Sequence, residues 1–304
     1  MGTASKTRKG AANGRMVGVL GLGIMGSAMS DNLARGGFAV CGYDPVTARR
    51  TALARSGGKA LRSAAEVAAA APILLTSLPS VEALRDVARE LSAGRRAGAI
   101  VIETSTLPIA AKEEARAVLA KARITLLDCP LSGTGAQARR KDLAVYASGP
   151  EAAYRKCVPV FEGFARAHFH LGAFGNGSRM KFLANLLVAI HNVSAAEAFV
   201  LGEKAGLDFD TMVKVLGDGA GASRMLQVRG PMMARGDYRE ATMKLSVWQK
   251  DMKIIGAFAA ELDCPVPLFA ASAAFYNAAM AQGFAESDTA AVCAVLERMA
   301  NVKR

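Results

Sequence analysis

The sequence predicts two folded domains, an α/β domain with a mainly parallel sheet followed by an all-helical domain. The length of 304 residues is enough for about two domains of roughly 150 residues each. Up to about residue 172, short apolar runs alternate with helical segments, which is typical of βαβ units. Beyond that residue no strand-like alternation follows, and the apolar segments have the length and spacing of helices.

The elements follow from this pattern in chain order. In the first domain a helix is predicted at 24–36, and apolar runs predict strands at 16–21, 38–43, 72–77, 99–103, 124–128, 143–147 and 167–171. In the second domain one long helix, apolar on nearly every side, is predicted at 177–205. Shorter helices follow at about 209–217, 242–261, 266–281 and 287–300. The boundaries are therefore 1–15 for an aperiodic tail, 16–173 for the α/β domain and 174–304 for the helical domain.

Composition excludes several classes of protein. Hydrophobic residues make up 52% of the chain, which is ample for a packed core, and no apolar run of about 18 residues predicts a membrane span. No secretory signal pattern is present at the N-terminus. The five cysteines form no CxxC pair and the three histidines have no cysteine cluster beside them, so we expect no metal site. Unpaired thiols suit a reducing compartment, and the predicted localisation is cytoplasmic.

The net charge of +12 has two sources. Every charged side chain in the flexible tail 1–15 is basic, and the remaining residues carry +8 once its four charges are subtracted. A basic surface can bind nucleic acid, but no stripe of aromatic and basic residues or DNA-reading motif follows, so nucleic acid is not an expected partner. The charge equally suits an enzyme for a phosphorylated cofactor and a small acidic substrate.

The strongest local motif is a GxGxxG that closes the first strand and opens the first helix, formed by Gly21, Leu22, Gly23, Ile24, Met25 and Gly26. The first glycine permits a tight turn, the second lets the backbone approach a pyrophosphate, and the third allows close packing of helix and strand. The free N–H groups of the helix N-terminus then face the phosphates. This pattern predicts a Rossmann-type dinucleotide site. The alternative is a glycine-rich turn that binds nothing.

Asp44 lies at the end of the second strand, 18 residues after Gly26. A carboxylate there accepts hydrogen bonds from the adenosine ribose and repels a 2′-phosphate, which favours NAD over NADP. Arg49 and Arg50 follow and can accommodate a phosphate, so NADP stays possible. The alternative role for Asp44 is a helix N-cap before Pro45.

Six blocks in order over residues 16–300 resemble the β-hydroxyacid dehydrogenases. They are VGVLGLGIMGSAMSDNLARGGFAVCGYD (17–44), LLTSLPS (74–80), ETSTLPIAA (103–111), DCPLSGTGAQA (128–138), GNGSRMKFLAN (175–185) and the Lys250-Asp251 pair. The resemblance implies that Leu78 and Pro79 form a turn beside the adenosine. It also implies that Thr106 faces the nicotinamide ribose, where the alternative is a hydroxyl that caps the next helix.

The fifth block carries the chemistry. Lys181 and Asn185 are four residues apart on a predicted helix and share one face. Reduction of a carbonyl produces an alkoxide that needs a proton, which a lysine ammonium with a lowered pKa can supply. The resemblance implies that Lys181 is catalytic, that Asn185 supports it, and that Lys250 contacts cofactor or substrate. Without the resemblance, Lys181 is an ordinary surface lysine and Lys250 an ordinary surface ion pair.

The fourth block is expected to hold a substrate carboxylate. Ser132 and the amides of Gly133 and Thr134 form a donor-rich loop suited to an anion. Thr134 stands where the family usually has a second glycine, so its side chain narrows the loop or adds a donor. In the helical domain, Arg224 is a candidate clamp for a second acidic group.

These features predict an NAD-dependent or NADP-dependent oxidoreductase that interconverts a small 3-hydroxy acid and its semialdehyde or keto form. One alternative is an imine reductase, although those proteins usually lack a lysine at this position. Another is a non-catalytic relative associated with NAD or nucleic acid, suggested by the basic tail. The apolar long helix needs a covering partner, so we expect a homodimer or homotetramer.

Overall fold

A computed structural model of the chain describes residues 16–94 and 97–302. The predicted basic tail at 1–15 lies outside these residues. The first domain contains a sheet of six parallel strands in the order β3-β2-β1-β4-β5-β6. They are β1 (Met16–Leu20), β2 (Ala39–Tyr43), β3 (Lys59–Ala60), β4 (Ile73–Thr76), β5 (Ile100–Glu103) and β6 (Thr125–Asp128). The predicted parallel sheet is thus confirmed, and its strand order reverses between β1 and β4, where ligands bind in such folds.

Helices cover both faces of this sheet because its strands are apolar on both sides. Two separate clusters of buried side chains show this arrangement, with Val17 and Val19 of β1 in one and Leu20 of β1 in the other. The helices are α1 (Ile24–Arg35), α2 (Thr47–Arg55), α3 (Ala64–Ala70), α4 (Val81–Gly94), α5 (Ile109–Lys121), α6 (Gly135–Arg139) and α7 (Glu151–Phe164).

A second, three-stranded sheet continues the first domain. It consists of β7 (Leu131–Ser132), β8 (Ala144–Ala147) and β9 (Ala167–His170), with β7 antiparallel and β9 parallel to β8. An antiparallel bridge between Asp128 and Ser148 joins it to the end of β6. The strands at 143–147 and 167–171 are found as predicted. The two-residue strands β3 and β7 were not predicted, since two residues are too few to show a period.

The remainder is helical, as predicted. It contains α8 (Asn176–Lys204), α9 (Phe209–Asp218), α10 (Arg224–Arg235), α11 (Leu245–Glu261), α12 (Pro267–Ala281), a 3₁₀ turn (Thr289–Ala291) and α13 (Val292–Met299). Helix α10 was not predicted, because Pro231 interrupts its pattern. The structure shows why the helix forms there. The Ser223 hydroxyl caps its first turn by accepting from the Leu226 amide, and Gly236 ends it in the left-handed conformation, with a φ of 62°.

The chain divides into two compact units, one ending at Lys181 and the other beginning at Phe182. This division falls inside helix α8, eight residues after the predicted boundary between 173 and 174. A single continuous helix therefore carries both predicted catalytic residues, one at the end of the first unit and one at the start of the second.

Candidate active site

The glycine loop has the shape of a phosphate cradle. Gly21 has a φ of +87°, and a Cβ there would collide with the Ser77 carbonyl oxygen. A Cβ at Gly26 would collide with the Gly21 carbonyl oxygen. A Cβ at Gly23, by contrast, would meet no atom of the protein within 4 Å. Packing inside the chain therefore explains the outer two glycines but not Gly23. Gly23 is the N-cap of α1, the position at which loops of this kind admit a pyrophosphate.

The remaining loop residues open the first helix. Ile24 and Met25 begin α1, Ile24 is 67% exposed, and no side chain caps this helix end. The Leu22 amide is directed elsewhere, since it donates a hydrogen bond of 2.8 Å to the Asp44 carboxylate. The residues present thus suit a dinucleotide phosphate, which satisfies the N–H groups that a helix leaves unpaired at its start.

Asp44 is buried at the end of β2 and links the strand to the glycine loop. Its carboxylate also accepts from the Val46 amide at 2.9 Å and pairs with the Arg49 guanidinium at 3.2 Å. Helix α2 begins after Val46, which is its N-cap, so the alternative of Asp44 as a helix cap is wrong. The Arg50 guanidinium donates to the Asp44 carbonyl oxygen at 2.6 Å. Both arginines therefore hold the Asp44 segment in this structure.

The carboxyl ends of β4 and β5 lie beside the glycine loop. The Ser77 amide donates to the Leu20 carbonyl oxygen at 2.9 Å, which ties the Leu78-Pro79 turn to the end of β1. The Leu78 amide donates to the Ser105 hydroxyl at 2.8 Å. The predicted adenosine turn is thereby joined to the segment that carries Thr106, which is half-buried. The sheet order explains this proximity, because β1, β4 and β5 are consecutive neighbours.

The predicted anion loop ends in a capping box. Thr134 caps α6 in a reciprocal arrangement, in which its hydroxyl accepts from the Gln137 amide and its own amide donates to Gln137 Oε1 at 3.0 Å. The Thr134 amide is thus already bonded, contrary to its expected role as an open anion donor. Ser132 and Gly133 precede the cap and are half-buried. A Cβ on Gly135 would come within 2.5 Å of the Ile24 side chain, so this loop lies against the first turn of α1.

Lys181 and Asn185 lie one turn apart on α8, and both are buried, at 9% and 4% exposure. The alternative of Lys181 as a surface lysine is wrong. The Asn185 amide nitrogen donates to Asp251 Oδ2 at 2.9 Å, and the Lys250 ammonium pairs with Asp251 Oδ1 at 3.1 Å. Asp251, itself buried, therefore connects the predicted supporting residue to the predicted cofactor or substrate lysine.

Two sets of polar residues in or near the predicted site were not singled out from the sequence. One is Asp251, which stands beside Lys250 in the sixth block. Its position next to a lysine already assigned to the site is the sequence feature that could have identified it. The other is a buried ionic cluster of Lys112, Glu103 and Asp128. Lys112 has the pattern of an exposed helix lysine and gave no signal at all.

Arg224 is the first residue of α10 and is exposed. Its predicted contact with substrate stays a prediction. Among residues 16–94 and 97–302, no group of three or more His, Cys, Asp or Glu side chains is arranged to hold a metal ion.

Comparisons with known proteins agree with this geometry. Residues 16–172 match the family described as the NAD binding domain of 6-phosphogluconate dehydrogenase. Residues 175–296 match the family described as NAD-binding of NADP-dependent 3-hydroxyisobutyrate dehydrogenase. The chain is 32% identical to L-threonate dehydrogenase of Cupriavidus necator, over 91% of this chain and 95% of that protein. The solved 3-hydroxyisobutyrate dehydrogenase of Mycobacterium tuberculosis with L-serine superposes with a TM-score of 0.84 at 30% identity, covering 93% of this chain and 99% of that one.

The fold, the glycine cradle and these relatives together define an oxidoreductase that uses NAD(P) and acts on the hydroxyl groups of hydroxy acids. The chain belongs to the β-hydroxyacid dehydrogenase family, as its six sequence blocks predicted. The matched relatives are dehydrogenases, which favours an enzyme over the alternative of a non-catalytic relative. An imine reductase from Pseudomonas sp. superposes with a TM-score of 0.62 at 21% identity, a likeness that extends to the fold alone.

Proposed function

We propose that this enzyme interconverts a small 3-hydroxy acid and the corresponding semialdehyde or keto acid, with NAD preferred and Lys181 as the general acid and base. The observation that carries the proposal is the burial of Lys181 one helical turn from Asn185, in a chain whose glycine loop is shaped for a dinucleotide.

The cofactor, when bound, supplies or accepts a hydride at its nicotinamide ring. The chain's own residues manage the rest. In the reducing direction the Lys181 ammonium gives a proton to the oxygen that becomes the hydroxyl, and in the oxidising direction its free amine takes that proton back. Asn185 orients the same oxygen, because it lies one turn further along α8. Asp251 fixes the Asn185 amide by accepting its hydrogen bond, so the amide faces the substrate in one orientation.

The substrate carboxylate is assigned to the loop after β7. Ser132 offers a hydroxyl and Gly133 an amide there, while the Thr134 cap keeps the loop stiff and narrows it relative to a glycine. This arrangement favours a compact acid. The contacts predicted for Leu78, Pro79, Thr106 and Lys250 with the cofactor, and for Arg224 with a second acidic group, belong to the same proposal.

The proton role is tested with Lys181→Ala, assayed against small 3-hydroxy acids and semialdehydes with NAD and NADP in parallel. We expect kcat to fall by about 10³-fold, within the range of general acid–base catalysis. The dissociation constant of NADH, followed by its fluorescence, should stay the same. Lys204→Ala, at the far end of the same helix, is the matched control and should retain full activity. Retention of most of the kcat by Lys181→Ala would refute the mechanism.

We further propose that helix α8 is a core helix of a homo-oligomer. By length and composition it could cross a membrane, with a mean hydropathy of 1.4 in its most apolar window, of which 44% is buried. However, its buried face carries Asn185 and Asn192, and the Asn192 amide donates to the Tyr276 hydroxyl at 3.2 Å. Such polar contacts belong to a protein core. Its outer face presents Leu183 and Leu187, each about half exposed, which a second copy of the chain would cover.

A further inference from the structure

Lys112 is completely buried, which is rare for a lysine. Its ammonium lies 2.6 Å from the Glu103 carboxylate and 2.8 Å from the Asp128 carboxylate, and both acids are also fully buried. Burial alone would lower the pKa of Lys112, but the charges of Asp128 and Glu103 outweigh it and hold that pKa above its ordinary value. The ammonium therefore stays charged throughout the working pH range. Buried ionic clusters contribute little net stability, so this one calls for another explanation.

One side of the cluster holds the ends of β4 and β5. The Lys112 ammonium donates to the Ser105 carbonyl oxygen at 2.7 Å, and the Ser105 amide donates to Glu103 Oε1 at 2.9 Å. The Ser105 hydroxyl in turn accepts from the Leu78 amide at 2.8 Å. Lys112 and Glu103 thus fix both the turn assigned to the adenosine and the residue directly before Thr106.

The other side holds the start of helix α8. Asp128 Oδ2 accepts from the Ser178 amide at 2.7 Å, and Oδ1 accepts from the Ser178 hydroxyl at 2.8 Å. The Ser148 hydroxyl also bonds Asp128 and accepts from the Gly177 amide at 2.9 Å. Two amides of the first turn of α8 are thereby bound. The Ser178 amide donates to the buried Asp128 carboxylate, and the Gly177 amide donates to the Ser148 hydroxyl, which is itself hydrogen-bonded to Asp128. Ser178 is three residues before Lys181, on the adjacent turn of the same face.

We propose that Lys112 is a positioning residue, whose ammonium holds Glu103 on the cofactor side and Asp128 on the α8 side so that Lys181 is kept in register with the nicotinamide. This inference rests on the proposed role of Lys181. The cluster supplies geometry rather than stability, since a displacement of about 1 Å at a reacting group costs on the order of 100-fold in rate. A buried ammonium between two carboxylates is stable in one position only. An apolar side chain at the same site could pack in several positions and would not fix the two acids.

The α8 side and the cofactor side of the cluster are tested separately, each with a single substitution that removes one hydrogen bond or one charge. Ser178→Ala removes one hydrogen bond to Asp128, and we expect kcat to fall about tenfold or more, with a shifted pH profile and an unchanged KM for NAD. Glu103→Gln keeps the shape but removes a charge next to Ser105, and we expect the KM for NAD to rise more than kcat falls. Ser272→Ala is the matched control, because the Ser272 hydroxyl is also buried and donates to a helix carbonyl, that of Leu268, at 2.8 Å. It should change neither parameter.

The decisive measurement combines Ser178→Ala with Lys181→Ala. If the cluster acts through Lys181, the double variant should be no slower than Lys181→Ala alone. Additive losses, or a wild-type kcat and pH profile in Ser178→Ala, would overturn the positioning role. Full activity in Lys181→Ala would instead overturn the proposed function, so the two failures are distinct.

Lys112→Met, which leaves two buried acids unpaired, should lower the melting temperature as well as kcat. A fully active Lys112→Met variant would also overturn the proposal.

Discussion

Asp44 is the residue to which the proposed preference for NAD over NADP is assigned. It is buried, bonded to the Leu22 amide of the glycine loop and paired with Arg49. Arg50 is held against the Asp44 and Pro45 carbonyl oxygens. The two arginines that favour a 2′-phosphate are thus engaged with the strand end, while the acid that repels one lies next to the loop. This arrangement supports the proposed preference for NAD.

Asp44→Asn removes the charge and retains an acceptor for the Leu22 amide. We expect the ratio of kcat/KM with NADP to that with NAD to rise about tenfold or more, because repulsion of the 2′-phosphate disappears. Steady-state kinetics with both cofactors measure this ratio. Asp31→Asn, an exposed acid on helix α1, is the control and should leave it unchanged. An unchanged ratio in Asp44→Asn would mean that another residue sets cofactor preference.

Helix α10 shows how a buried charge connects elements. Its Arg229 guanidinium pairs with the Asp288 carboxylate at 2.9 Å, with both side chains almost fully buried. Asp288 also accepts from the Thr242 amide and hydroxyl, each at 2.7 Å, and from the Ala290 amide at 3.0 Å. One carboxylate therefore joins α10 to the segment before α11 and to the 3₁₀ turn. Burial opposes ionisation of Asp288, but Arg229 and these donors outweigh it and hold its pKa below the ordinary value.

This lowered pKa predicts a pH-dependent stability. A carboxyl group with a lower pKa in the folded state stabilises the fold above its unfolded pKa of about 3.9, and that contribution is lost as the pH falls through the folded pKa. Asp288→Asn should therefore reduce the free energy of unfolding by about 3 kcal/mol at pH 7. The difference from wild type should shrink below about pH 4. Urea unfolding at several pH values measures it. Asp218→Asn, at an exposed acid that ends helix α9, should have no measurable effect, and a pH-independent loss in Asp288→Asn would contradict the assignment.

At the scale of the whole molecule, helix α8 has faces with different roles. Lys181 and Asn185, one turn apart, are buried. Three large apolar side chains of the same helix are exposed, Met180 at 41%, Leu183 at 53% and Leu187 at 50%. A row of large apolar side chains on a central helix is costly to leave in water and typical of a subunit interface. The spacing of three and four residues places the three on one face.

For the proposed homo-oligomer, Leu187→Lys should produce monomers, because it places a charge in the surface assigned to a second copy. Light scattering coupled to size exclusion measures the molar mass, which should fall to that of a single 31.6 kDa chain. Leu262→Lys, an exposed site at the end of α11, is the control and should retain the wild-type mass. A monomeric wild-type protein, or an unchanged mass in Leu187→Lys, would refute this surface as the interface.

The sequence by itself determined the parallel sheet, the helical second domain and the glycine loop, because each is recorded in local spacing. The resemblance of its six blocks gave the family, and through the family it selected Lys181 and Asn185, which are four apart on one helix. Contacts between residues distant in sequence were decided only by the tertiary structure. The bond between Asn185 and Asp251 and the clamp of Asp128 on Ser178 span 66 and 50 residues. Lys112 looks like any exposed helix lysine, and it differs only because the fold buries it between two acids, which no local pattern encodes.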